Sequence, residues 1–165
     1  MTSVYLLIGG NKGDRLSYLR KAIIRIKKNV GSIIRSSSVY ETEPYGFDDE
    51  YLFLNQCLLV ETNLLPLELL EIIAGIETSL GRMRKEGLYE SRTIDIDILF
   101  YNDLILKDAR LIIPHPEFHK RNFALIPMSE INPGFIHPVL RKTIKVLLEE
   151  STDKHEVLKF SDQIN

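Results

Sequence analysis

The chain has 165 residues and a mass of 19.0 kDa, with 44% hydrophobic and 27% charged residues. This balance predicts one folded domain over residues 1–165 and excludes a mainly disordered protein. Lysine and arginine total 21 against 23 acidic residues, and the net charge of -2 excludes strong nonspecific attraction to nucleic acid or an anionic membrane. The single cysteine, Cys57, excludes an intramolecular disulfide and favours a reducing, cytoplasmic compartment.

The hydrophobic segments are too short for membrane insertion. The amino terminus has no basic leader before its apolar run, so no signal peptide is expected. No uncharged apolar run approaches the roughly 18 residues that are typical of a membrane span. We therefore expect a soluble protein.

The first half of the chain predicts three strands and one helix. An apolar run at residues 4–8 predicts a buried strand, which the glycine-rich turn 9–13 ends. Asp14 is a suitable N-cap for a following helix, in which apolar residues recur at helical spacing as far as Val30. Residues 32–41 predict a second strand. After an exposed loop, residues 51–62 predict a long third strand that forms a wide hairpin with the second.

A second helix and a fourth strand follow. Pro66 suits the first turn of this helix, and Gly81 suits its end. Residues 82–92 are polar and aperiodic, which predicts a mobile basic loop. Residues 93–101 alternate as a strand. Its two faces carry Ile94, Ile96, Ile98 and Phe100 on one side and Asp95, Asp97 and Leu99 on the other.

This order of elements is typical of an α+β, ferredoxin-like βαββαβ fold, with helices packed on one face of an antiparallel sheet and the other face free for a ligand. The rest of the chain predicts an extra β-hairpin over residues 104–106 and 111–113, a Pro-His-Pro corner, and C-terminal helices near residues 123–131 and 140–150.

The most informative residues for function are Asp95 and Asp97. Spacing by two on a strand points both carboxylates the same way, and paired carboxylate oxygens suit Mg²⁺. Adjacent like charges repel and raise the pKa of one another unless a cation neutralises them. A solvated strand face is the alternative interpretation of this pair taken alone.

Basic residues flank the aspartate pair. Arg82, Arg84 and Arg92 precede it, and Lys120 and Arg121 follow it. Guanidinium groups bind phosphate oxygens, and a metal combined with arginines is what phosphoryl transfer requires. The alternative is that these residues only make a loop soluble.

Four further residues are candidates for ligand contact. His115, held between two prolines, could donate a hydrogen bond to a phosphate, although a lone histidine is more often structural. Phe53 and Phe123 could enclose a flat heteroaromatic ring, and Asn55 on the same strand face as Phe53 could bind its amide edge. The alternative is that both phenylalanines belong to the core.

The chain resembles the 6-hydroxymethyl-7,8-dihydropterin pyrophosphokinases of folate biosynthesis along roughly its first four-fifths. The Arg-x-x-Asp-x-Asp segment is the most specific part of this resemblance. The matching segments are YLLIGGN at 5–11, YETEPYG at 40–46, FLN at 53–55, GRMR at 81–84, RTIDIDIL at 92–99, PHP at 114–116, RNF at 121–123 and INP at 131–133.

The resemblance implies transfer of a pyrophosphoryl group from ATP to the pterin hydroxymethyl group, with release of AMP. Because nothing in the sequence demands a dimer and the net charge is negative, we expect a monomer that binds no nucleic acid. The resemblance further implies that Asp95 and Asp97 bind two Mg²⁺ ions, and that Arg82, Arg84 and Arg92 lie on a catalytic loop closing over the nucleotide. The residues that it implies for nucleotide contact are Glu77, Ile98, Arg110, Ile112, His115 and Arg121.

The resemblance also implies a pterin site in which the ring stacks between Phe53 and Phe123. The residues that it implies for the hydrogen-bonding edge of the pterin are Thr42, Glu43, Tyr45 and Asn55. The chain departs from the family pattern in its loop, where Leu88, Tyr89 and Glu90 replace a run that usually holds a basic residue and a glycine. Ala74 replaces a polar residue that some members use toward the nucleotide.

Two other function classes compete with this interpretation. A nucleotidyltransferase also uses an Asp-x-Asp pair with Mg²⁺ and ATP, but its glycine turn generally lies shortly before the pair, whereas here Gly9 lies far upstream. A ferredoxin-like module could bind RNA on its open sheet face. Asp95 and Asp97 on that face would repel phosphate in the absence of a metal.

Overall fold

The computed structural model of the chain describes residues 1–43, 51–82 and 92–160. In these residues the elements follow in the order β1 (Thr2–Gly10), α1 (Arg15–Asn29), β2 (Gly31–Ser36), β3 (Tyr40–Thr42), β4 (Phe53–Thr62), α2 (Pro66–Ser79), β5 (Asp95–Tyr101), β6 (Leu106–Lys107), β7 (Ile112–Ile113), α3 (Asn122–Ile131), α4 (Ile144–Glu149) and β8 (Val157–Lys159). A 3₁₀ turn at Phe118–Lys120 precedes α3.

An antiparallel sheet organises these elements. Its strands lie in the order β5-β1-β4-β3-β8, and β2 also pairs with β4, beside β3. The register places Gly9 of β1 opposite both Asn55 of β4 and Asp95 of β5. Three neighbouring strands therefore bring these residues to one end of the sheet.

Two predicted helices cover the first face of the sheet. α1 begins after Asp14, whose carboxylate accepts a hydrogen bond from the backbone N–H of Ser17 at 3.1 Å. α2 begins at Pro66, and the side chain of Glu68 accepts a hydrogen bond from the backbone N–H of Leu65 at 2.8 Å. Local capping thus sets both helix starts, and both predictions are confirmed.

Buried side chains form one cluster on each face of the sheet. The cluster beneath α1 and α2 includes Val4, Leu6, Ile8, Leu58 and Ile96. The cluster beneath α3 and α4 includes Tyr5, Leu7, Cys57, Leu125 and Met128. Because side chains alternate along β1, consecutive apolar residues supply both clusters.

The expectation of a free second face is wrong along much of the sheet, because α3 and α4 cover it. The face opens only toward the end of the sheet that carries Gly9, Asn55 and Asp95, where it becomes the wall of a cleft. A ligand therefore meets a walled cleft and not a flat sheet.

Three further details differ from prediction. Residues 32–41 do not form one strand, because β2 and β3 are separate elements that pair with different parts of β4. The final helix is shorter than predicted, with its helical residues confined to 144–149. The sequence pattern did not predict β8, which pairs with β3 at the edge of the sheet. The hairpin of β6 and β7 is confirmed.

A β-bulge interrupts the alternation in β5. Tyr5 pairs with Phe100 and Leu6 pairs with Ile98, so Leu99 is the additional residue. Leu99 and Phe100 consequently both belong to the cluster beneath α3 and α4. The prediction that Phe100 shares a face with Ile98 is therefore wrong.

A membrane span requires a helix of sufficient length and hydropathy. None of the helices in the described residues is both long and apolar enough to cross a membrane.

Candidate active site

The cleft on the second face combines charged and aromatic side chains from several elements of the fold. It lies where β1, β4 and β5 meet the end of β3 and the start of α3. Its lining residues are Leu7, Gly9, Thr42, Glu43, Phe53, Asn55, Arg92, Asp95, Asp97, Arg121 and Phe123.

Asp95 lies at the centre of an ion-pair network. One carboxylate oxygen accepts a hydrogen bond from Arg82, and the other lies 2.9 Å from Nη1 of Arg92. Burial acts to raise the pKa of Asp95, but the two guanidinium groups outweigh it and hold the pKa below its ordinary value. Asp95 is therefore ionised, and it fixes the side chains at both ends of the predicted loop.

Glu77 supports this network from within the protein. It is 1% exposed, and its carboxylate accepts hydrogen bonds from Arg82 and from the backbone N–H of Ile96, the latter at 3.0 Å. The backbone N–H of Arg82 also donates to the carbonyl of Glu77, at 3.0 Å. Glu77 thus links the end of α2 to β5 and orients Arg82 toward Asp95.

Asp97 lines the same cleft and has an unusual electrostatic setting. Burial, and then the negative charges of Asp95 and Glu77, raise its pKa well above the ordinary value, while Arg121 and Arg82 act in the opposite direction. A cation in the cleft would remove this conflict between carboxylates.

A divalent metal fits the donor set. Mg²⁺ usually takes one or two protein carboxylates and completes its octahedron with water and substrate phosphates. Asp95 and Asp97 supply two carboxylates on one side of β5. Among the described residues no group of three or more potential metal ligands occurs, so phosphate oxygens and water would have to fill the other positions.

Arg121 supplies positive charge to the cleft, and the ring of His115 lies close enough to feel that charge. Arg121 lines the cleft, and its guanidinium carbon lies 5.7 Å from the centre of the Phe123 ring. Burial, and then the charge of Arg121, lower the pKa of His115 below its ordinary value. Nδ1 of His115 accepts a hydrogen bond from the backbone N–H of Glu117 at 3.2 Å, which leaves Nε2 to carry the proton of the neutral ring.

The aromatic part of the cleft contains Phe53 from β4 and Phe123 from α3. The guanidinium of Arg92 lies 5.7 Å from the centre of the Phe53 ring. Asn55 of β4 pairs with Gly9 of β1, and a Cβ at Gly9 would come within 2.3 Å of the Asn55 Oδ1. Glycine at position 9 is therefore required to leave room for the Asn55 amide.

Thr42 and Glu43 form the edge of the cleft at the end of β3. Thr42 is buried, and its hydroxyl donates a hydrogen bond to the backbone carbonyl of Glu156 at 3.1 Å. Glu43 is exposed beside it. Two other predicted site residues, Tyr45 and Arg84, lie outside the described residues, as do Leu88, Tyr89 and Glu90.

Of the six residues predicted for nucleotide contact, Arg121 lines this cleft and the other five do not. The side chain of Ile98 is buried in the cluster beneath α1 and α2. Arg110 is largely exposed and pairs with Asp108 at 3.3 Å. Ile112 is 46% exposed on β7. Arg110 and Ile112 could contact only a part of the ligand that extends beyond the cleft.

Asn11 is a site residue that the sequence analysis missed. Its side chain accepts a hydrogen bond from the backbone N–H of Arg92 at 3.0 Å and donates one to the carbonyl of Tyr51 at 3.1 Å. The sequence predicts only that the glycine-rich turn ends the strand. No sequence signal reveals this role of Asn11, because both hydrogen bonds join residues that are far apart in the chain.

Comparison with known proteins identifies this arrangement. A family model described as 7,8-dihydro-6-hydroxymethylpterin-pyrophosphokinase matches residues 5–133. The chain belongs to this family. The resemblance seen in the sequence, and with it the prediction of a pyrophosphokinase of folate biosynthesis, is confirmed.

Two relatives of this pyrophosphokinase match 93% and 77% of its length. It is 42% identical over 154 residues to the 2-amino-4-hydroxy-6-hydroxymethyldihydropteridine pyrophosphokinase of Aquifex aeolicus. The alignment covers 93% of this chain and 95% of that protein. It is 41% identical over 128 residues to the protein of the same name from Bacillus subtilis. This alignment covers 77% of this chain and 76% of that protein.

A solved structure shows the same fold. The wild-type HPPK-DHPS of Plasmodium falciparum with SDX-DHP aligns with a TM-score of 0.73 and 21% identity, over 91% of this pyrophosphokinase and 43% of that chain. The pyrophosphokinase therefore spans less than half of the solved chain. The predicted α+β fold, with helices packed on an antiparallel sheet, is confirmed.

Proposed function

We propose that this pyrophosphokinase binds 6-hydroxymethyl-7,8-dihydropterin and ATP side by side in the cleft and moves the terminal pyrophosphoryl group of ATP to the pterin, leaving AMP. The observation that carries this proposal is the joining of an aspartate pair, Asp95 and Asp97, to an aromatic pair, Phe53 and Phe123, in one cleft. Charged groups that can hold metal-bound phosphates therefore lie beside aromatic faces that can hold the pterin ring.

The pterin ring would lie between Phe53 and Phe123. A planar heterocycle gains from two opposed aromatic faces, and a pterin carries amide-like donors and acceptors along one edge. Asn55 and the end of β3 at Thr42 and Glu43 lie in the same cleft, so they are placed to bind that edge. Tyr45 is assigned to this edge from the sequence alone.

The phosphates of ATP would lie between Asp97 and the cleft arginines. Arg121 and Arg92 both line the cleft, and arginine binds phosphate oxygens in bidentate fashion. Arg82 and Glu77 would hold Asp95 in place, and His115 would donate from Nε2 to a phosphate oxygen. We assign Arg84 to the same group, and Ile98, Arg110 and Ile112 to contacts with the remainder of the nucleotide.

Asp95 and Asp97 would hold two Mg²⁺ ions. When bound, these ions supply Lewis acidity and draw together negatively charged phosphate and hydroxyl oxygens. Asp95 is ionised through its contacts with Arg82 and Arg92, so it offers a carboxylate without a proton to displace. The setting of Asp97 raises its pKa and so favours its protonated form. Metal binding would favour loss of that proton.

The reaction needs alignment more than a covalent intermediate. The hydroxymethyl oxygen attacks the β-phosphorus of ATP, and a new oxygen–phosphorus bond forms there. The bond from this phosphorus to the oxygen that bridges to the α-phosphorus breaks, AMP leaves with that oxygen, and the hydroxyl proton passes to solvent water. Phe53 and Phe123 would fix the attacking oxygen, while Arg92 and Arg121 would stabilise the charge on the transferred group.

Three wider assignments accompany this mechanism. We propose that the chain acts as one domain over residues 1–165, because one sheet carries both clusters of buried side chains. We also propose that it acts as a monomer, since no step of this mechanism needs a second copy. We also place the enzyme in the cytoplasm, where ATP is abundant and the buried thiol of Cys57 meets a reducing environment.

Product identification tests the proposal directly. The enzyme is incubated with Mg²⁺, ATP and the pterin, and the nucleotide products are separated by chromatography. We expect AMP in an amount equal to the pterin diphosphate, and none without the pterin. ADP would indicate transfer of one phosphoryl group, and free pyrophosphate would indicate nucleotidyl transfer. Either product would overturn the proposed mechanism.

A further inference from the structure

The C-terminal segment 153–160 lies beyond residues 5–133, which the family model matches, yet it contacts both walls of the cleft. One wall is the start of α3, with Arg121 and Phe123, and the other is the end of β3, with Thr42. The segment makes hydrogen bonds with Thr42 at one wall and with Asn122, which lies between Arg121 and Phe123, at the other.

Asp153 caps α3 from a distance along the chain. Its Oδ2 accepts a hydrogen bond from the backbone N–H of Asn122 at 2.8 Å, and its backbone carbonyl accepts one from the Asn122 amide at 3.3 Å. The residue before the helix, Arg121, makes no side-chain cap of its own. The carboxylate of Asp153 therefore satisfies the backbone N–H of Asn122, the first residue of α3, and places negative charge at the helix N-terminus.

The Asp153 carboxylate is itself held in place. Its side chain is 2% exposed, and Oδ1 accepts hydrogen bonds from the backbone N–H of His155 at 3.0 Å and pairs with Nδ1 of His155 at 2.6 Å. Burial acts to raise the pKa of Asp153, but hydrogen bonds from the N–H groups of His155 and Asn122 outweigh it and lower the pKa. The cap is thus charged and oriented.

The same segment continues into β8 and fixes β3. Val157 and Thr42 are partners in the β3–β8 ladder, and the Thr42 hydroxyl donates to the carbonyl of Glu156 at 3.1 Å. One residue past β8, the backbone N–H of Phe160 donates to the carbonyl of Val39 at 2.8 Å. The ring of Phe160 lies 5.6 Å from the Arg15 guanidinium carbon.

Arg15 extends this chain of contacts to β4. Its guanidinium pairs with Glu41 of β3 at 2.7 Å and donates to the carbonyl of Leu52 at 2.9 Å. Leu52 directly precedes Phe53 of the aromatic pair. Segment 153–160 is therefore connected to the backbone beside Phe53 as well as to the backbone beside Phe123.

We propose that Asp153 is a positioning residue for the pterin. Together with β8, it sets the separation between the wall that carries Phe123 and the wall that carries Thr42 and Phe53. The inference rests on the proposed placement of the pterin between Phe53 and Phe123. Asp153 does not touch the substrate. It acts through the first turn of α3, and loss of its carboxylate allows that turn to shift away from β3.

Pterin affinity measured separately from nucleotide affinity tests this role. Calorimetry gives the Kd of the pterin with Mg²⁺ and a non-hydrolysable ATP analogue present, and the Kd of the analogue alone. The variants are Asp153→Ala, which removes the cap, and Asp153→Asn, which keeps one oxygen acceptor for the Asn122 N–H. The matched control is Glu150→Ala, which removes an exposed carboxylate of the same C-terminal region that pairs with Lys142 at 2.7 Å.

We expect Asp153→Ala to raise the pterin Kd about fivefold. This is the fold-change that corresponds to the typical cost of losing a helix cap, if that whole cost weakens pterin binding. The analogue Kd should change by less than about twofold, Asp153→Asn should recover most of the pterin affinity, and Glu150→Ala should match the parent. Because Asp153→Asn retains the cap acceptor, it keeps the test valid if Asp153→Ala folds poorly.

Two results would overturn the inference. One is an unchanged pterin Kd in Asp153→Ala, and the other is an equal loss of pterin and analogue affinity in Asp153→Asn, which indicates general destabilisation. A parallel titration of Phe123→Ala separates this failure from that of the proposed function. If Phe123→Ala binds the pterin as the parent does, the pterin placement itself is wrong, and the role of Asp153 falls with it.

Discussion

Asn11 and Arg92 are joined by a hydrogen bond of 3.0 Å from the backbone N–H of Arg92 to the Asn11 side chain. The backbone N–H groups of Asn11 and Lys12 return two hydrogen bonds to the carbonyl of Arg92, at 3.0 and 3.2 Å. The turn after β1 therefore holds the residue whose guanidinium pairs with Asp95. Asn11, which does not line the cleft, thereby orients Arg92, which does.

The first prediction concerns Asn11. Asn11→Ala removes the acceptor for the Arg92 N–H and the donor to the Tyr51 carbonyl, so Arg92 loses part of its alignment toward Asp95. We expect kcat to fall about tenfold or more, since small misplacements of a positioning group are costly. Steady-state kinetics check this, with circular dichroism as a control for folding. An unchanged kcat in a folded variant would contradict it.

The second prediction concerns the aspartate pair. Asp97→Asn keeps the shape of the side chain but removes a carboxylate from the proposed magnesium site, and we expect kcat to fall about 100-fold or more. Titration calorimetry with Mg²⁺ and an ATP analogue should show weaker metal binding. The control is Asp103→Asn, because Asp103 is an exposed aspartate shortly after β5. Equal activity of the two variants would refute the metal assignment.

The third prediction concerns the aromatic pair. Phe123→Leu keeps an apolar side chain but removes the ring face, and aromatic contacts contribute about 0.5–1.5 kcal/mol beyond area burial. The pterin KM should rise about tenfold, while the KM for ATP changes little. The surface control is Ile136→Ala, since Ile136 is 57% exposed. Parallel losses for both substrates would indicate that the fold has changed instead.

Local sequence patterns predicted most of the fold because local interactions set it. Asp14 accepts the N-cap hydrogen bond from Ser17, and alternation along β5 placed Asp95 and Asp97 on the same side. The wrong predictions depend on pairing between distant residues. The bulge at Leu99 follows from the register with β1, and β8 forms only because β3 offers it an edge.

The same distinction applies to the site. Asp95, Asp97, Phe53 and Phe123 could be found from residue type and family resemblance, and the structure brings all four to one cleft. The supporting hydrogen bonds could not be found, because they join residues far apart in the chain. Asp153, for example, caps Asn122 across 31 positions, and no spacing rule predicts such a pair.

The last prediction concerns stability at acidic pH. His137 is buried, and its Nδ1 accepts hydrogen bonds from the backbone N–H groups of Val139 and Leu140 at 3.2 and 3.0 Å. Burial, followed by the nearby His119, lowers the pKa of His137 from 6.5 to about 4. Because the unfolded chain takes up this proton first, stability is fully present above the unfolded pKa of 6.5 and is lost as the pH falls toward 4.

Urea unfolding between pH 7 and pH 4 measures this loss, and the informative variant is His137→Asn. The asparagine oxygen can accept the backbone hydrogen bonds but does not titrate. The variant should therefore show a smaller decrease in unfolding free energy than the parent over this range. His119→Asn is the matched control, because His119 faces His137 at a ring separation of 6.4 Å and accounts for only the lesser cause of the shift. The same pH dependence in His137→Asn as in the parent would show that other groups control acid stability.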